Sequence, residues 1–483
     1  MEQSLTGAMD PEEFRRVGKQ VVDWIADYLK DPSKYPVLSR VKPGDIRKQL
    51  PGVAPTSPEP MMTLLGDFER IILPGITHWN HPGFFAYFAI SGSAPGILGE
   101  MLAAALNVNG MLWRTSPAAT ELEEVVLDWL RQMLGLPADF KGVITDTASV
   151  SSLVALTAAR EALHRRIREN GLAGRTDLPR LRMYCSEHTH SSIEKAAIVL
   201  GIGQNGVRKI QSDDGYRMRA DLLGNAIRED RANGWFPFCV VATVGTTSTT
   251  SIDPVRALSD ICRRERLWLH VDGAYGGVAA IVPELRSVLD GCELADSIVV
   301  NPHKWLFTPI DCSCLYTRQV DTLTQAFSLV PEYLRTADRD VTNYMDWGVQ
   351  LGRRFRSLKL WFVIRSFGVD GLISRIREHC RLAADFASWV DDEPAFERLA
   401  PVPFSVVCFR FHPSDVQDEK ALERMNSQLL DAVNSTGEVF LSHTKLNGRY
   451  TMRMAIGNLA TRPQHVMRAW ELIRAHARRI HAG

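Results

Sequence analysis

The sequence predicts an α/β protein built around a seven-stranded, mostly parallel sheet that is sandwiched between helices. Its middle part alternates short runs that are apolar on both faces with helical patterns, which is typical of a parallel sheet covered on both sides. The predicted strands lie near 142–145, 181–185, 207–210, 238–243, 267–272, 297–300 and 312–317. The link 305–311 is too short for a crossover helix, so we expect the last strand to run antiparallel to its predecessor.

Two further segments flank this part. Apolar residues recur at helical spacing between Pro11 and Lys30, and the three aromatic residues of this stripe need a surface to bury against, either a second subunit or their own domain. Beyond residue 358, one helical run ends near Gly368 and another spans 370–391. Strands at 404–411, 438–443 and 449–456 and a helix at 462–479 follow them. We predict an N-terminal helical segment (1–93), a large domain (94–358) and a small α+β domain (359–483).

The charge balance and the cysteines narrow the possible partners and compartment. Lys plus Arg and Asp plus Glu both number 56, so no net field attracts nucleic acid or an anionic membrane. No apolar stretch approaches the roughly 18 residues that span a bilayer, and the polar, acidic N-terminus lacks a signal-peptide core. Several of the eight cysteines lie in apolar runs, as small buried side chains do in a reducing cytoplasm. We expect a cytoplasmic protein without membrane or nucleic-acid partners.

Polar and small residues follow five of the predicted strands. They occupy 146–152, 186–192, 245–248, 272–275 and 301–304. Ligands of open parallel sheets bind beyond the carboxyl ends of the strands, so these five segments are expected to meet at one site.

Lys304 and Asp272 are the sharpest of these signals. Each follows a short apolar run, and buried lysines and carboxylates are rare unless they are paired or functional. Taken singly, Asp272 could be a structural ion-pair partner, and Lys304 could extend its ammonium to solvent. Together they are what a pyridoxal 5′-phosphate (PLP) site requires, namely a Schiff-base lysine and an aspartate that pairs with the pyridinium nitrogen.

Weaker signals accompany this pair. Ala148 and Ser149 open a helix whose free amides could cradle a phosphate, although Ser and Thr are also ordinary helix caps. His190 could stack on a planar ring or could be a satisfied structural histidine. A metal site is not predicted, because no two of the four candidate histidines share i, i+4 spacing on a helix and no cysteine pair accompanies them. These histidines are His188, His190, His270 and His303.

Longer motifs extend the pattern over nearly the whole chain. They are His78-Trp79, Tyr87-Phe88, Ser116-Pro117-Ala118, Thr120-Glu121-Leu122-Glu123, His190-Ser191-Ser192, Thr246-Thr247, His270-Val271-Asp272, Asn301-Pro302-His303-Lys304-Trp305 and the segment 351–359. In these motifs the sequence resembles the aromatic-L-amino-acid decarboxylases, which are group II PLP-dependent decarboxylases of fold type I.

The resemblance implies a role for each matching residue. Lys304 would carry the cofactor, Asp272 would pair with its ring nitrogen, and His190 and Ala274 would lie against the two faces of its ring. Ala148, Ser149 and Asn301 would hold the phosphate with help from His303, and Thr247 would lie near the cofactor O3′ and the substrate carboxylate. Tyr333, in a segment that resembles the family's mobile loop, would be the proton donor.

The resemblance also implies a substrate pocket and a homodimer with its active site at the interface. The pocket positions are Trp79, Tyr87, Phe88, Ala89, Ile90, Asn109, Met111 and Gly352. Aromatic and apolar walls favour an aromatic amino acid over glutamate, which would need an arginine pair. Ile90 replaces a family threonine and Gly352 leaves room for a large ring, so we expect tryptophan or phenylalanine to be preferred over dihydroxyphenylalanine.

Two other functions compete with simple decarboxylation. The first is an aldehyde synthase of the same fold, which couples decarboxylation to oxidative deamination; in such relatives the loop tyrosine or the stacking histidine is replaced. This chain keeps Tyr333 and His190, which favours the decarboxylase. The second is a PLP-free scaffold, against which the intact Lys304 and Asp272 argue.

Overall fold

The computed structural model describes residues 9–329 and 341–482. Its N-terminal part is mostly helical, and α1 starts with Pro at its first position, where the missing N–H costs no hydrogen bond. The elements of this part are α1 (Pro11–Lys30), α2 (Asp45–Gln49), α3 (Met61–Asp67), the two-residue strand β1 (Phe84–Phe85) and α4 (Ala94–Leu106). None of the helices in the described ranges is both long and apolar enough to cross a membrane.

Seven strands form the central sheet that the sequence predicts. They are β2 (Lys141–Thr145), β3 (Arg180–Ser186), β4 (Val207–Ile210), β5 (Trp235–Thr243), β6 (Trp268–Asp272), β7 (Ser297–Val300) and β8 (Ser313–Thr317). Their order is β2-β8-β7-β6-β5-β3-β4, and β8 runs antiparallel to both of its neighbours while the other pairs are parallel. The predicted α/β class and the reversed direction of the last strand are therefore confirmed.

Helices cover both faces of this sheet. They are α5 (Pro117–Leu134), α6 (Ala148–Glu161), α7 (Ile167–Asn170), α8 (Ser192–Val199), α9 (Ala220–Ala232), α10 (Val255–Glu265), the short α11 (Pro302–Trp305) and α12 (Val320–Phe327). Successive residues of β5 point to opposite faces, so Val240 joins the core on one side and Val241 the core on the other. Burial on both faces explains why these strands read as continuous apolar runs.

The C-terminal part carries a second sheet. Its elements are α13 (Arg356–Asp392), β9 (Phe396–Arg398), β10 (Val406–Phe411), α14 (Glu419–Ser435), β11 (Phe440–Leu446), β12 (Arg449–Ala455) and α15 (Pro463–Ala482). Gly368 breaks the course of α13 with φ +64°, at the point where the sequence predicts a helix end. The strand order is β1-β11-β12-β10-β9, so β1 of the N-terminal part completes this sheet. The domain boundaries after residues 93 and 358 stay predictions.

Candidate active site

The carboxyl ends of β5, β6 and β7 meet at one edge of the central sheet. Asp272 is the last residue of β6 and pairs in register with Thr243 of β5 and Val299 of β7. Lys304 lies in the helical turn α11 that follows β7 directly. The lysine and the aspartate singled out in the sequence therefore lie at neighbouring strand ends.

Lys304 is partly exposed, but its ammonium lies among apolar groups. Its Nζ is 5.3 Å from the centre of the Phe88 ring, and in residues 9–329 and 341–482 no carboxylate lies within 4.0 Å of it. Burial lowers the pKa of Lys304, and the charge of nearby Asp272 opposes this effect. Desolvation without a close counter-ion favours the neutral, nucleophilic amine.

Asp272 is 6% exposed and is fixed by the backbone that follows it. Its Oδ1 accepts a hydrogen bond from the Ala274 N–H at 3.1 Å, and the Ala274 carbonyl accepts one from the Asn301 N–H at 3.2 Å. No ion pair joins Asp272 to a cationic side chain in the part of the chain that the structure describes. The carboxylate is therefore held in place with capacity to accept a further hydrogen bond.

His303 and Asn301 form a buried pair, and their contacts determine which ring nitrogen of His303 carries the proton. The Cys312 N–H donates to His303 Nδ1 at 3.0 Å, and burial lowers the pKa of His303 to about 4, so the neutral ring carries its proton on Nε2. Nε2 lies 3.3 Å from the Asn301 amide, and two donors do not bond each other, so the amide oxygen faces Nε2.

The other end of the Asn301 amide is buried and has no hydrogen-bond partner within the described residues. By the preceding argument this end is the NH₂ group. A buried donor that lacks a protein partner costs free energy unless a ligand fills the position. Its chemistry suits an anionic oxygen such as that of a phosphate.

Ala148 and Ser149 lie at the N-terminus of α6, directly after β2. Thr147 occupies the N-cap position, and the first amides of the helix have no intrahelical acceptor, so they favour an anion. A chain of hydroxyls runs beneath this turn, from Thr145 to Ser151 at 2.7 Å and on to Ser313 of β8 at 2.8 Å. The chain ties the start of α6 to the strand beside β7.

His190 follows β3 and exposes its ring. The Ser192 N–H donates to His190 Nδ1 at 3.2 Å, which leaves Nε2 to carry the proton of the neutral ring. Burial of part of the ring lowers the pKa of His190. The nearby charge of Asp272 raises this pKa and that of Lys304 lowers it. The ring is therefore neutral at neutral pH, close to both residues, and open on its surface to a planar ligand.

Phe88 lies beside Lys304, and Arg453 connects Phe88 to Thr247. Thr247 is exposed and follows the end of β5. The Phe88 ring, close to Lys304, stacks on Tyr275 at 3.9 Å. Tyr87 stacks on Trp79 at 5.9 Å, and Ala89 and Ile90 continue the same segment. Trp79, Tyr87 and Phe88, called here the aromatic wall, therefore belong to one side of the site.

The remaining pocket residues form a second group. Asn109 donates from Nδ2 to the Met111 sulfur at 3.5 Å and accepts the Arg353 N–H at 2.9 Å. A Cβ on Gly352 would lie 3.8 Å from the Asn109 Nδ2. Among the described residues, no hydrogen bond, ion pair or ring contact joins this group to Lys304 or the aromatic wall. Tyr333 lies outside the described residues.

Two residues with a bearing on the site were given no role from the sequence. Tyr275 fills the space between Phe88 and Trp305, and stacks on the latter at 4.8 Å. Arg453 donates to the carbonyl oxygen of Thr247 at 2.8 Å. A charged residue inside the apolar run of β12 was the available hint for Arg453. In the described ranges, no group of three or more His, Cys, Asp or Glu side chains could hold a metal ion.

Comparisons with known proteins agree with this geometry. Residues 43–412 match the model of the pyridoxal-dependent decarboxylase conserved domain. Tyrosine decarboxylase 2 of Arabidopsis thaliana is 46% identical, with 97% of this chain and 88% of that protein covered. Phenylacetaldehyde synthase of the same plant is 45% identical, with 97% and 96% covered.

A solved structure resembles the whole chain. The crystal structure of Oryza sativa TDC with PLP and tryptamine superimposes with a TM-score of 0.94 at 39% identity, and covers 99% of this chain and 100% of that one. The chain therefore belongs to the pyridoxal-dependent decarboxylases. It is a carboxy-lyase of PLP fold type I, and its cofactor is pyridoxal 5′-phosphate.

Proposed function

We propose that this protein decarboxylates an aromatic L-amino acid to the corresponding arylalkylamine and CO₂, with Lys304 as the residue that carries the cofactor. The observation that carries this proposal is the desolvated Lys304 amine beside the fixed carboxylate of Asp272, with an aromatic wall on the same side of the site. Relatives named for tyrosine decarboxylation, and a solved relative with tryptamine, support an aromatic substrate.

Each end of the cofactor has residues suited to hold it. The Asn301 NH₂ group and the first amides of α6, at Ala148 and Ser149, would bind the phosphate, and His303 would keep the Asn301 amide in the required orientation. His190 and Ala274 would lie against the two faces of the ring. The small Ala274 side chain leaves room for a flat ligand beside Asp272.

The chemistry divides between the cofactor and the protein. When bound, the cofactor withdraws electrons from the bond between the substrate Cα and its carboxylate, so that CO₂ can leave. Asp272 keeps a proton on the ring nitrogen and thereby maintains this electron demand. Thr247 would face the substrate carboxylate, and Tyr333 would donate the proton that replaces it at Cα.

The substrate preference rests on the pocket residues. The aromatic wall offers stacking surface, while Ile90 presents no hydroxyl to a ring OH and Gly352 carries no side chain to limit ring size. We therefore propose that tryptophan or phenylalanine is preferred over dihydroxyphenylalanine. Comparing kcat/KM for tryptophan, phenylalanine, tyrosine and dihydroxyphenylalanine tests this, and a clear preference for the catechol would contradict it.

A homodimer would unite the two groups of pocket residues. Asn109, Met111 and Gly352 make no hydrogen bond or ring contact with Lys304 in the described chain, and a second subunit would bring their counterparts to the site. Large apolar side chains on α1 and α4 support such an interface because they are exposed in the single chain. They include Phe14 (67% exposed), Leu98 (51%), Leu102 (49%) and Leu106 (61%). Sedimentation at twice the 54.0 kDa chain mass is expected, and a fully active monomer would exclude it.

A cytoplasmic location is part of the proposal. All eight cysteines are free thiols, and seven of them are buried, as expected of a protein that folds in a reducing compartment. The seven buried thiols are not available to react with a ligand from solvent.

The experiment that tests the main function is an absorption spectrum followed by product analysis. The purified protein should absorb visible light from bound cofactor, and addition of an aromatic amino acid should release one CO₂ and one arylalkylamine. Failure to bind the cofactor would favour the PLP-free scaffold.

The aldehyde synthase remains the second candidate, because a phenylacetaldehyde synthase is among the similar proteins. Retention of Tyr333 and His190 supports the decarboxylase. Aldehyde and hydrogen peroxide in place of the amine, with uptake of O₂, would decide for the synthase.

A further inference from the structure

Arg453 is a buried cation whose hydrogen bonds go to backbone carbonyls and a hydroxyl rather than to a carboxylate. It lies on β12 between Ser442 of β11 and Cys408 of β10, and the strand register pairs it directly with both. It is 4% exposed, and no carboxylate pairs with it anywhere in residues 9–329 and 341–482. A buried charge without a counter-ion is costly, so its hydrogen bonds should explain its presence.

The guanidinium donates to three separate segments. Its Nε donates to the Ser248 carbonyl and its Nη2 to the Thr247 carbonyl, both at 2.8 Å. Its Nη1 donates to Ser442 Oγ at 3.0 Å and to the Tyr87 carbonyl at 3.3 Å. Arginine alone among side chains offers several fixed donors in one plane, which lets it hold these acceptors together.

Tyr87 needs this support because its backbone is strained. Its φ is +52°, in the left-handed region that non-glycine residues seldom adopt. Its N–H donates to Ser442 Oγ at 3.1 Å, and its carbonyl accepts from Arg453, so both of its peptide groups are fixed by the C-terminal sheet.

The strained turn at Tyr87 sets the positions of the Tyr87 and Phe88 rings. It places the Tyr87 ring against Trp79, at 5.9 Å, with 53% of Tyr87 exposed. The next residue, Phe88, turns its ring toward Lys304, at 5.3 Å from Nζ, and toward the Arg453 guanidinium, at 5.5 Å.

We propose that Arg453 is a positioning residue for substrate binding, which fixes Tyr87 and Phe88 relative to Thr247 and so sets the width of the cleft in front of Lys304. The proposal rests on the proposed function insofar as it takes the aromatic wall and Thr247 as substrate contacts. Within the described residues, Arg453 makes no hydrogen bond or ion pair with Asp272.

Arg453→Lys tests this proposal because it keeps the charge but removes the planar set of donors. Arg410→Lys is the matched control, since Arg410 is 3% exposed in the same sheet but pairs with Glu397 and Glu419 away from the site. For Arg453→Lys we expect KM for aromatic amino acids to rise about tenfold or more, with kcat less affected and cofactor content unchanged. Arg410→Lys should leave KM unchanged.

Amide hydrogen exchange supplies a readout that does not depend on turnover. In Arg453→Lys, exchange should become faster in peptides that cover 84–90 and 245–250, and should stay the same around Asp272. Unchanged exchange at Tyr87, or an unchanged KM in folded, cofactor-loaded protein, would overturn the proposal. A wild-type protein that released no amine would refute the proposed function instead, and the exchange result would still decide the role of Arg453.

Discussion

Two lysines of this protein have buried amino groups, and their comparison shows what separates the proposed reactive amine from a structural one. Lys359, on α13, is fully buried, and its Nζ lies 2.7 Å from the Glu100 carboxylate on α4. Lys304 has no carboxylate within 4.0 Å among the described residues, and burial lowers its pKa. Burial is common to both, so the distance to a counter-ion makes the difference.

The groups that surround the two lysines also differ. At Lys359 the helices touch so closely that a Cβ on Gly99 would lie 2.7 Å from the Lys359 Cα, and the ion pair is enclosed by packed backbone. At Lys304 the neighbouring groups keep unused hydrogen-bonding capacity, as Asn301 shows. The first region holds an ion pair between packed helices, whereas in the second one end of the Asn301 amide has no partner among the described residues.

The largest expected effect follows from replacing the reactive amine. Lys304→Arg keeps a cation but cannot supply a neutral amine, so we expect decarboxylation to fall by at least about 10³-fold. Turnover and cofactor content per folded molecule measure this. Lys359→Arg, which keeps a cation beside Glu100, is the control and should retain most of its turnover. Equal activity of Lys304→Arg and wild type would remove Lys304 from its proposed role.

Breaking the ion pair of Lys359 should reduce the stability of the protein rather than its catalytic activity. Glu100→Gln leaves the Lys359 ammonium buried without its counter-ion, and we expect a loss of about 2–3 kcal/mol in the free energy of unfolding, since Glu100 is partly exposed. Glu378→Gln, which breaks an exposed pair with Arg381 on the same helix, should cost less than about 1 kcal/mol. Urea unfolding compares them. Equal midpoints for the two variants would refute the role given to the buried pair.

Two buried asparagines extend the comparison to neutral groups. Asn301→Ala removes a donor that has no partner in the described chain, together with one hydrogen bond to His303. The cofactor-free protein should therefore lose only about 1 kcal/mol of stability, while cofactor affinity falls by about tenfold or more. Asn426 makes three hydrogen bonds to backbone groups of Phe411 and Leu422. Asn426→Ala should therefore lose stability and leave cofactor affinity per folded molecule unchanged.

Cofactor titration and urea unfolding of both asparagine variants separate these effects. If Asn301→Ala bound the cofactor as tightly as wild type, its amide would not face the phosphate. If it destabilised the cofactor-free protein as much as Asn426→Ala does, the amide would already be satisfied by the protein.

The sequence predicted the central sheet well because its strands are buried on both faces and are separated by long helical patterns. The same regularity placed Asp272 and Lys304 at neighbouring strand ends. The sequence pattern could not predict β1, because a strand of two residues shows no alternation of apolar and polar side chains. It also could not predict that β1 pairs with β11, which lies about 350 residues later in the chain. The role of Arg453 escaped for a related reason, because its partners at Tyr87 and Thr247 are backbone groups, which no side-chain pattern marks.

The smallest expected effect is the pH dependence that Lys304 gives to the stability of the cofactor-free protein. Burial lowers the pKa of Lys304 in the folded protein below its ordinary value of 10.5, so between the two values the unfolded chain holds a proton that the folded chain has released. Stability contributed by this group is therefore lost as pH falls. In cofactor-free protein, Lys304→Met should be more stable than wild type at neutral pH, and this advantage should shrink as pH rises toward 10.5. Urea unfolding from pH 6 to pH 10 tests this, and a Lys304→Met protein with no advantage at any pH would show that the cleft does not desolvate the amine.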